Sequence, residues 1–135
     1  MTMPVSWTVA GITGETMIRV KRVYESPRAD EGARFLVERL WPRGMRKESL
    51  HMDAWLKDVA PSDALRRWFG HDPAKWIEFR ERYFAELDGK PDAIQPIVEA
   101  ARKGNVTLLY SAHDTEFNNA AALKEYLSNR LQPGS

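Results

Sequence analysis

Cysteine is absent from the 135 residues. That removes disulfides, thiolate metal sites, iron–sulfur clusters and thiolate nucleophiles together. A bias of charge is also missing: 20 Lys and Arg stand against 19 Asp and Glu, a formal net charge of +1. Such a balance exerts no overall pull on nucleic acid or an anionic membrane, so nucleic acid is an unfavoured partner. Long apolar runs are lacking, and nothing approaches the ~20 residues of a membrane span. The first sixteen residues carry no Lys or Arg, so they lack the charged start of a secretory signal. The expected location is therefore the cytoplasm, with no membrane partner. What is present is a supply of apolar side chains, 43% of the residues, with five Trp, five Phe and four Tyr. That is enough to build one core, and the length suits a single domain.

Residues 1–16 are rich in Thr, Gly and Ser. They read as an arm outside the domain, or as an over-called start, before the domain proper at 17–131. Pro133-Gly134-Ser135 reads as a tail. Met17 to Tyr24 has the pattern of a half-buried strand, with Ile18 and Val20 on one face and Arg19, Lys21 and Val23 on the other. Glu25 to Gly32 is turn chemistry. Ala33 to Leu40 predicts a second strand, which runs out into Trp41-Pro42-Arg43-Gly44. Glu48 to Val59 fits neither period clearly. Ser62 is the expected cap of a short helix over Ala64 to Phe69, stopped by Gly70. Asp72-Pro73 restarts the chain, and Trp76, Phe79, Tyr83 and Leu87 recur at helical spacing. Pro91 opens another helix that Gly104 ends. Val106 to Tyr110 is a nearly continuous apolar run of β-formers, as in a parallel strand covered on both faces. Thr115 to Leu131 predicts a last helix, with Phe117, Ala120, Ala121, Leu123, Leu127 and Leu131 facing inward.

This order implies a small α/β domain with a mostly parallel sheet and helices packed on it. The first two strands could be parallel neighbours or a hairpin; their connection is short for a parallel crossover. In open α/β sheets ligands bind beyond the carboxyl ends of the strands. The second strand delivers Arg39, Trp41 and Arg43 there, and the Val106 strand delivers Ser111, His113 and Asp114 just before a helix. A helix start offers free N–H groups to an anion. Arg39 and Arg43 suit bidentate binding of phosphate or carboxylate, and Trp41 suits stacking on a ring. Arg39 would equally serve as the partner of a carboxylate such as Asp58, and Trp41 as core.

All three histidines adjoin an aspartate: His51 with Asp53, His71 with Asp72, and His113 with Asp114. Such pairs can be tuned for proton transfer near neutral pH. His113 and Asp114 at the end of the buried strand, with His71 converging on them, are the candidate catalytic groups. No HxxxH or HExxH spacing points to a metal, and no cofactor fingerprint of the GxGxxG or GxxxxGK[ST] type occurs. No metal or cofactor is therefore expected. The aromatic run Trp68 to Phe84 has core spacing, although Trp68-Phe69 before Gly70 could instead cap the pocket, while Arg66-Arg67 and Arg46-Lys47 are basic doublets of the solvated kind.

The strings VERLWPRG (37–44), WLKDVAPS (55–62), WFGHDP (68–73), the pair Trp76 and Phe79, and VTLLYSAHD (106–114) together resemble the YeaO-like family of uncharacterised bacterial proteins. This is the short branch of a larger domain-of-unknown-function family. The resemblance covers about residues 17–131 and supports Met17 as the usual start. It implies a compact α/β domain and no established reaction. Where the family commonly shows Asn-His after the acidic turn, this chain has Asn118-Asn119. Two functional expectations follow. One is a pocket that binds or turns over a small anionic ligand at the strand ends. The other is a non-catalytic module that binds nucleic acid or protein. Whether the chain is an enzyme, and its oligomeric state, stay open at this level.

Overall fold

The computed structural model describes residues 17–130, so the expectations for the N-terminal arm, the tail and Leu131 lie outside the described residues. Four strands form one all-parallel sheet: β1 (Ile18–Arg22), β2 (Ala33–Leu36), β3 (Ala54–Trp55) and β4 (Val106–Tyr110), in the order β1-β4-β2-β3. Four helices accompany them: α1 (Asp63–Phe69), α2 (Trp76–Asp88), α3 (Pro91–Lys103) and α4 (Asn119–Arg130). The open question of the first two strands is answered by insertion. The last strand enters between them, pairing Ile18–Arg22 on one edge and Ala33–Leu36 on the other.

Every residue of β4 is buried, as its unbroken apolar run requires. Alternate residues sort into two cores. Phe35, Val37, Val106, Leu108 and Tyr110 face the layer of helices, where Phe79, Tyr83, Ile97 and Leu123 fill the space. Leu36, Leu109 and Val23 face the other way, onto Trp41, Met45, Leu50 and Met52 from the long β2–β3 connection and Trp55 of β3. That connection does the work of a helical layer with aromatic and sulfur-bearing side chains instead.

The boundaries show where local preference yields. The second strand stops at Leu36, four residues short of the expected Leu40. Val37 still donates to the Leu109 carbonyl, but beyond it the chain leaves the sheet so that Trp41 can pack on Trp55 at 5.3 Å. The ambiguous stretch before Pro61 becomes the two-residue β3 flanked by 3-10 turns. The last helix begins at Asn119 rather than Thr115. The Asp114 carboxylate takes the N–H groups of Glu116 and Phe117 into a local turn, and Asn118 then caps the helix. On its buried face, Ala122 and Tyr126 join Ala120, Leu123 and Leu127, while Ala121 is half-buried. Ser62 caps α1 and Gly70 closes it in the left-handed region, as expected. No helix among the described residues is long and apolar enough to cross a membrane.

Below the second core, the same sheet face carries charge. Glu31 is 3% exposed and takes ion pairs from both Lys21 and Arg34. Arg34 also donates to the His51 carbonyl at 2.5 Å, and Thr107 donates to the Glu31 carbonyl at 2.9 Å. Burial alone would raise the Glu31 pKa. The hydrogen bond from Lys21, that from the Arg28 backbone, and the two cations outweigh it and hold the group below its ordinary 4.5.

Two outcomes are expected. Gly32 has φ +68, and a Cβ there would lie 2.0 Å from the Asn105 carbonyl oxygen, so Gly32→Ala should cost about 2 kcal/mol of stability, read as a lower urea midpoint. Glu31→Gln strands two buried cations and should cost about 3 kcal/mol at pH 7. Because the folded Glu31 pKa is depressed, its contribution is present above 4.5 and is lost as pH falls through the lower folded value. Urea titrations at pH 7 and pH 3 should therefore show a smaller acid loss in Glu31→Gln than in the wild type. An identical acid loss in both would remove Glu31 from the account.

Candidate functional site

The carboxyl ends of β2 and β4, the two central strands, open into a cleft of about 240 Å³. Three segments wall it. Glu38 to Trp41 leaves β2, Ser111 and Ala112 leave β4, and the Ala60-Pro61 approach to α1 closes the third side with Arg66, Phe69 and His71. Asn118 and Asn119 at the start of α4 complete it. Phe69 and Phe79, stacked at 4.3 Å, supply an apolar base. Leu40 stands at the rim, 60% exposed.

Polar contacts hold the walls in place. Arg39 donates to the Pro61 carbonyl at 3.2 Å and the Ala60 carbonyl at 3.4 Å, which ties the β2 exit to the start of α1. Its carboxylate neighbour is Asp63 at 3.9 Å rather than Asp58, and Arg66 meets the same Asp63 at 3.3 Å. The Ser111 hydroxyl donates to Glu38 Oε1 at 2.5 Å, joining the two strand ends. Asn119 donates to the Val37 carbonyl at 2.8 Å. From beneath, Arg22 donates to the carbonyls of Ala112 at 2.9 Å and Ser111 at 3.3 Å, so the β4 exit is fixed from the neighbouring strand. Tyr83, buried in the helical core, donates to the Val59 carbonyl just before the Ala60-Pro61 wall; burial holds its phenol protonated.

The sequence-derived candidates divide. Arg39, Trp41, His71 and Ser111 line the cleft together. Trp41 has its indole N–H on the Met45 carbonyl at 2.6 Å and packs edge-on against Trp55, so it is both wall and core. Arg43 is exposed and outside the lining; its carbonyl accepts from Tyr24 at 2.8 Å. His113 is exposed and also outside it. Asp114 lies outside the lining, with its carboxylate given to the backbone N–H groups of Phe117 and Glu116. Those two bonds, with a smaller contribution from the charge of His71, keep its pKa below 3.8. The free N–H groups expected directly after Ser111 are thus taken by the chain's own carboxylate. Among the described residues, no group of three or more His, Asp or Glu is placed to hold a metal ion.

Glu38, Arg66 and Phe79 were not legible as site residues, whereas Phe69 was open to reading as a cap of the pocket and does line it. Glu38 was only a neighbour of Arg39, Arg66 half of a basic doublet, and Phe79 part of a core stripe. Each joins the cleft because α1 and α2 pack where β2 ends, which no local pattern encodes. One local signal does survive inspection. His71 is the one non-glycine among the described residues with positive φ, at +58, directly after Gly70 at +53. Its ring is turned toward Phe69, with centroids 6.2 Å apart. A side chain in the left-handed region costs of order 1 kcal/mol. His71→Gly should accordingly be more stable than His71→Ala by about 1 kcal/mol in chemical denaturation. Equal stabilities would show that the strain is absent.

A family model described as the inactive DUF488-N3 subclade matches residues 17–135. The chain is 41% identical over 110 residues to "Uncharacterized protein YeaO" of Escherichia coli K12, covering 82% of this chain and 96% of that protein. It is 39% identical over 116 residues to "Uncharacterized protein Mb3100c" of Mycobacterium bovis and to "Uncharacterized protein Rv3073c" of Mycobacterium tuberculosis, covering 86% of this chain and 98% of each. No solved structure matches the chain.

Proposed function

This chain belongs to the inactive DUF488-N3 subclade, and from that premise we propose that its cleft binds a small molecule with an anionic group and does not turn it over. The observation that carries the reading is the placing of Arg39 and Arg66 around a part-apolar cleft at the carboxyl ends of the central parallel strands. That is the position where open α/β sheets bind ligands. Guanidinium groups are planar, weakly hydrated donors that suit carboxylate and phosphate oxygens. Arg39 spends donors on the Ala60 and Pro61 carbonyls, which fixes its plane and leaves the rest of the fork for a ligand. Ser111 and Asn119 add hydrogen-bonding groups on the opposite wall.

Binding without chemistry is favoured by how the acid–base candidates are used. Asp114 is an ionised cap for local N–H groups. His113 is exposed and lies outside the lining. His71 remains as a wall beside the ligand. Of the basic doublets, Arg66 belongs to the cleft, and Arg46 and Lys47 lie exposed in the β2–β3 connection.

The test is a thermal-shift panel of nucleotides, sugar phosphates and carboxylates. A ligand at a hundred times its Kd adds about 2.7 kcal/mol of apparent stability, which reads as a rise of several degrees. Arg66→Ala should weaken the responding compound roughly fivefold, as for a part-exposed ion pair. Arg43→Ala, outside the cleft, should leave it unchanged. The reading fails if no anion shifts the protein, or if the shift survives in the Arg39→Gln, Arg66→Ala double variant.

A further inference from the structure

The charges around the cleft are mixed. Arg39 and Arg66 are both drawn toward one carboxylate, Asp63, at 3.9 and 3.3 Å. Whereas Arg39 is held toward Ala60-Pro61, its neighbour Glu38 also lines the cleft, with its carboxylate held toward the β4 exit by one hydrogen bond, from Ser111 at 2.5 Å. No Lys, Arg or His among the described residues lies within ion-pair distance of it. A polyanion entering here would meet a carboxylate already balanced by nothing, at a repulsion of the same order as its attraction to the arginines. A ligand carrying a cation as well as an anion would satisfy both.

Size and surface narrow the class further. An apolar cavity of about 150 Å³ admits benzene; this cleft measures about 240 Å³. It has room for a ring or branched apolar group plus a short charged chain. The stacked pair Phe69 and Phe79 offers the apolar group a base. Resting on the binding reading given above, we infer that the cleft takes a zwitterion of the α-amino-acid type with an apolar or aromatic side chain. The ligand carboxylate meets Arg39 and Arg66, its ammonium meets Glu38, and its side chain lies over Phe69. Ser111 is a positioning residue, since its hydroxyl holds the Glu38 carboxylate at the cleft wall.

Calorimetric titration of the full chain with five probes tests this: L-phenylalanine, L-leucine, 3-phenylpropionate, 2-phenylethylamine and phenyl phosphate. L-Phenylalanine should bind about tenfold tighter than 3-phenylpropionate, which lacks only the ammonium, and tighter than 2-phenylethylamine, which lacks only the carboxylate. Glu38→Gln should abolish the preference for phenylalanine over phenylpropionate, because phenylalanine loses its ammonium partner while phenylpropionate binds more tightly once the like charge is gone. The wild-type series stands by itself should that variant fold poorly. Equal or tighter binding of phenylpropionate or phenyl phosphate would overturn the zwitterion and leave the anion-binding reading intact. Binding of the amine alone would overturn both, as would no binding by any probe together with a silent thermal-shift panel.

Discussion

A central parallel strand must have its backbone groups satisfied along both edges and its side chains covered on both faces. That constraint, met by Val106–Tyr110, organises the rest of the molecule. This strand comes last in the chain, and β1 and β2 are joined in the sheet only through it. The helices between Asp63 and Lys103 form one layer over Phe35, Val106, Leu108 and Tyr110. The opposite face has no helical layer among the described residues. Its cover is the irregular β2–β3 connection above and the Lys21–Glu31–Arg34 cluster below. A buried ion cluster of this kind is costly to desolvate, so it favours one arrangement of the connection more than it adds stability.

The cleft is a consequence of the same constraint. Once β2 and β4 lie side by side, their carboxyl ends cannot diverge without exposing backbone groups, and the chain bends away only beyond Val37 and Tyr110. The Ser111 to Glu38 hydrogen bond bridges the resulting gap from one side, and Arg39 bridges it to the Ala60-Pro61 backbone on the other. Both bridges use side chains that a ligand would also address. Holding the fold and shaping the site are therefore not separable duties for these residues.

Much of the fold was readable from periodicity and punctuation. Ser62, Gly70, Asp72-Pro73 and Gly104 each end or begin a helix where their chemistry says they should. The unbroken apolar run at Val106 correctly signals a doubly covered strand. Misreadings fell where side chains compete with the local pattern. Asp114 draws Glu116 and Phe117 into a turn and delays α4, and Trp41 pulls the chain off the sheet before Leu40. The strand-end rule led to Arg39, Trp41 and Ser111, and the pairing of histidines with aspartates to His71; they also named Arg43, His113 and Asp114, which lie outside the cleft.

Composition and local chemistry, by themselves, determined the class of fold, the helix boundaries set by caps, and the absence of thiol chemistry. They do so because capping, turn formation and amphipathic spacing act over a few residues. Only the tertiary structure decided that β4 separates β1 from β2, that Glu38 and Arg39 share one cleft with Arg66, and that Phe69 and Phe79 form its base. Those relations depend on bringing together segments that are far apart in the chain, β1 with β4 and the β2 exit with α1. They arise from burying both faces of one parallel sheet, a requirement that no short window of sequence can express.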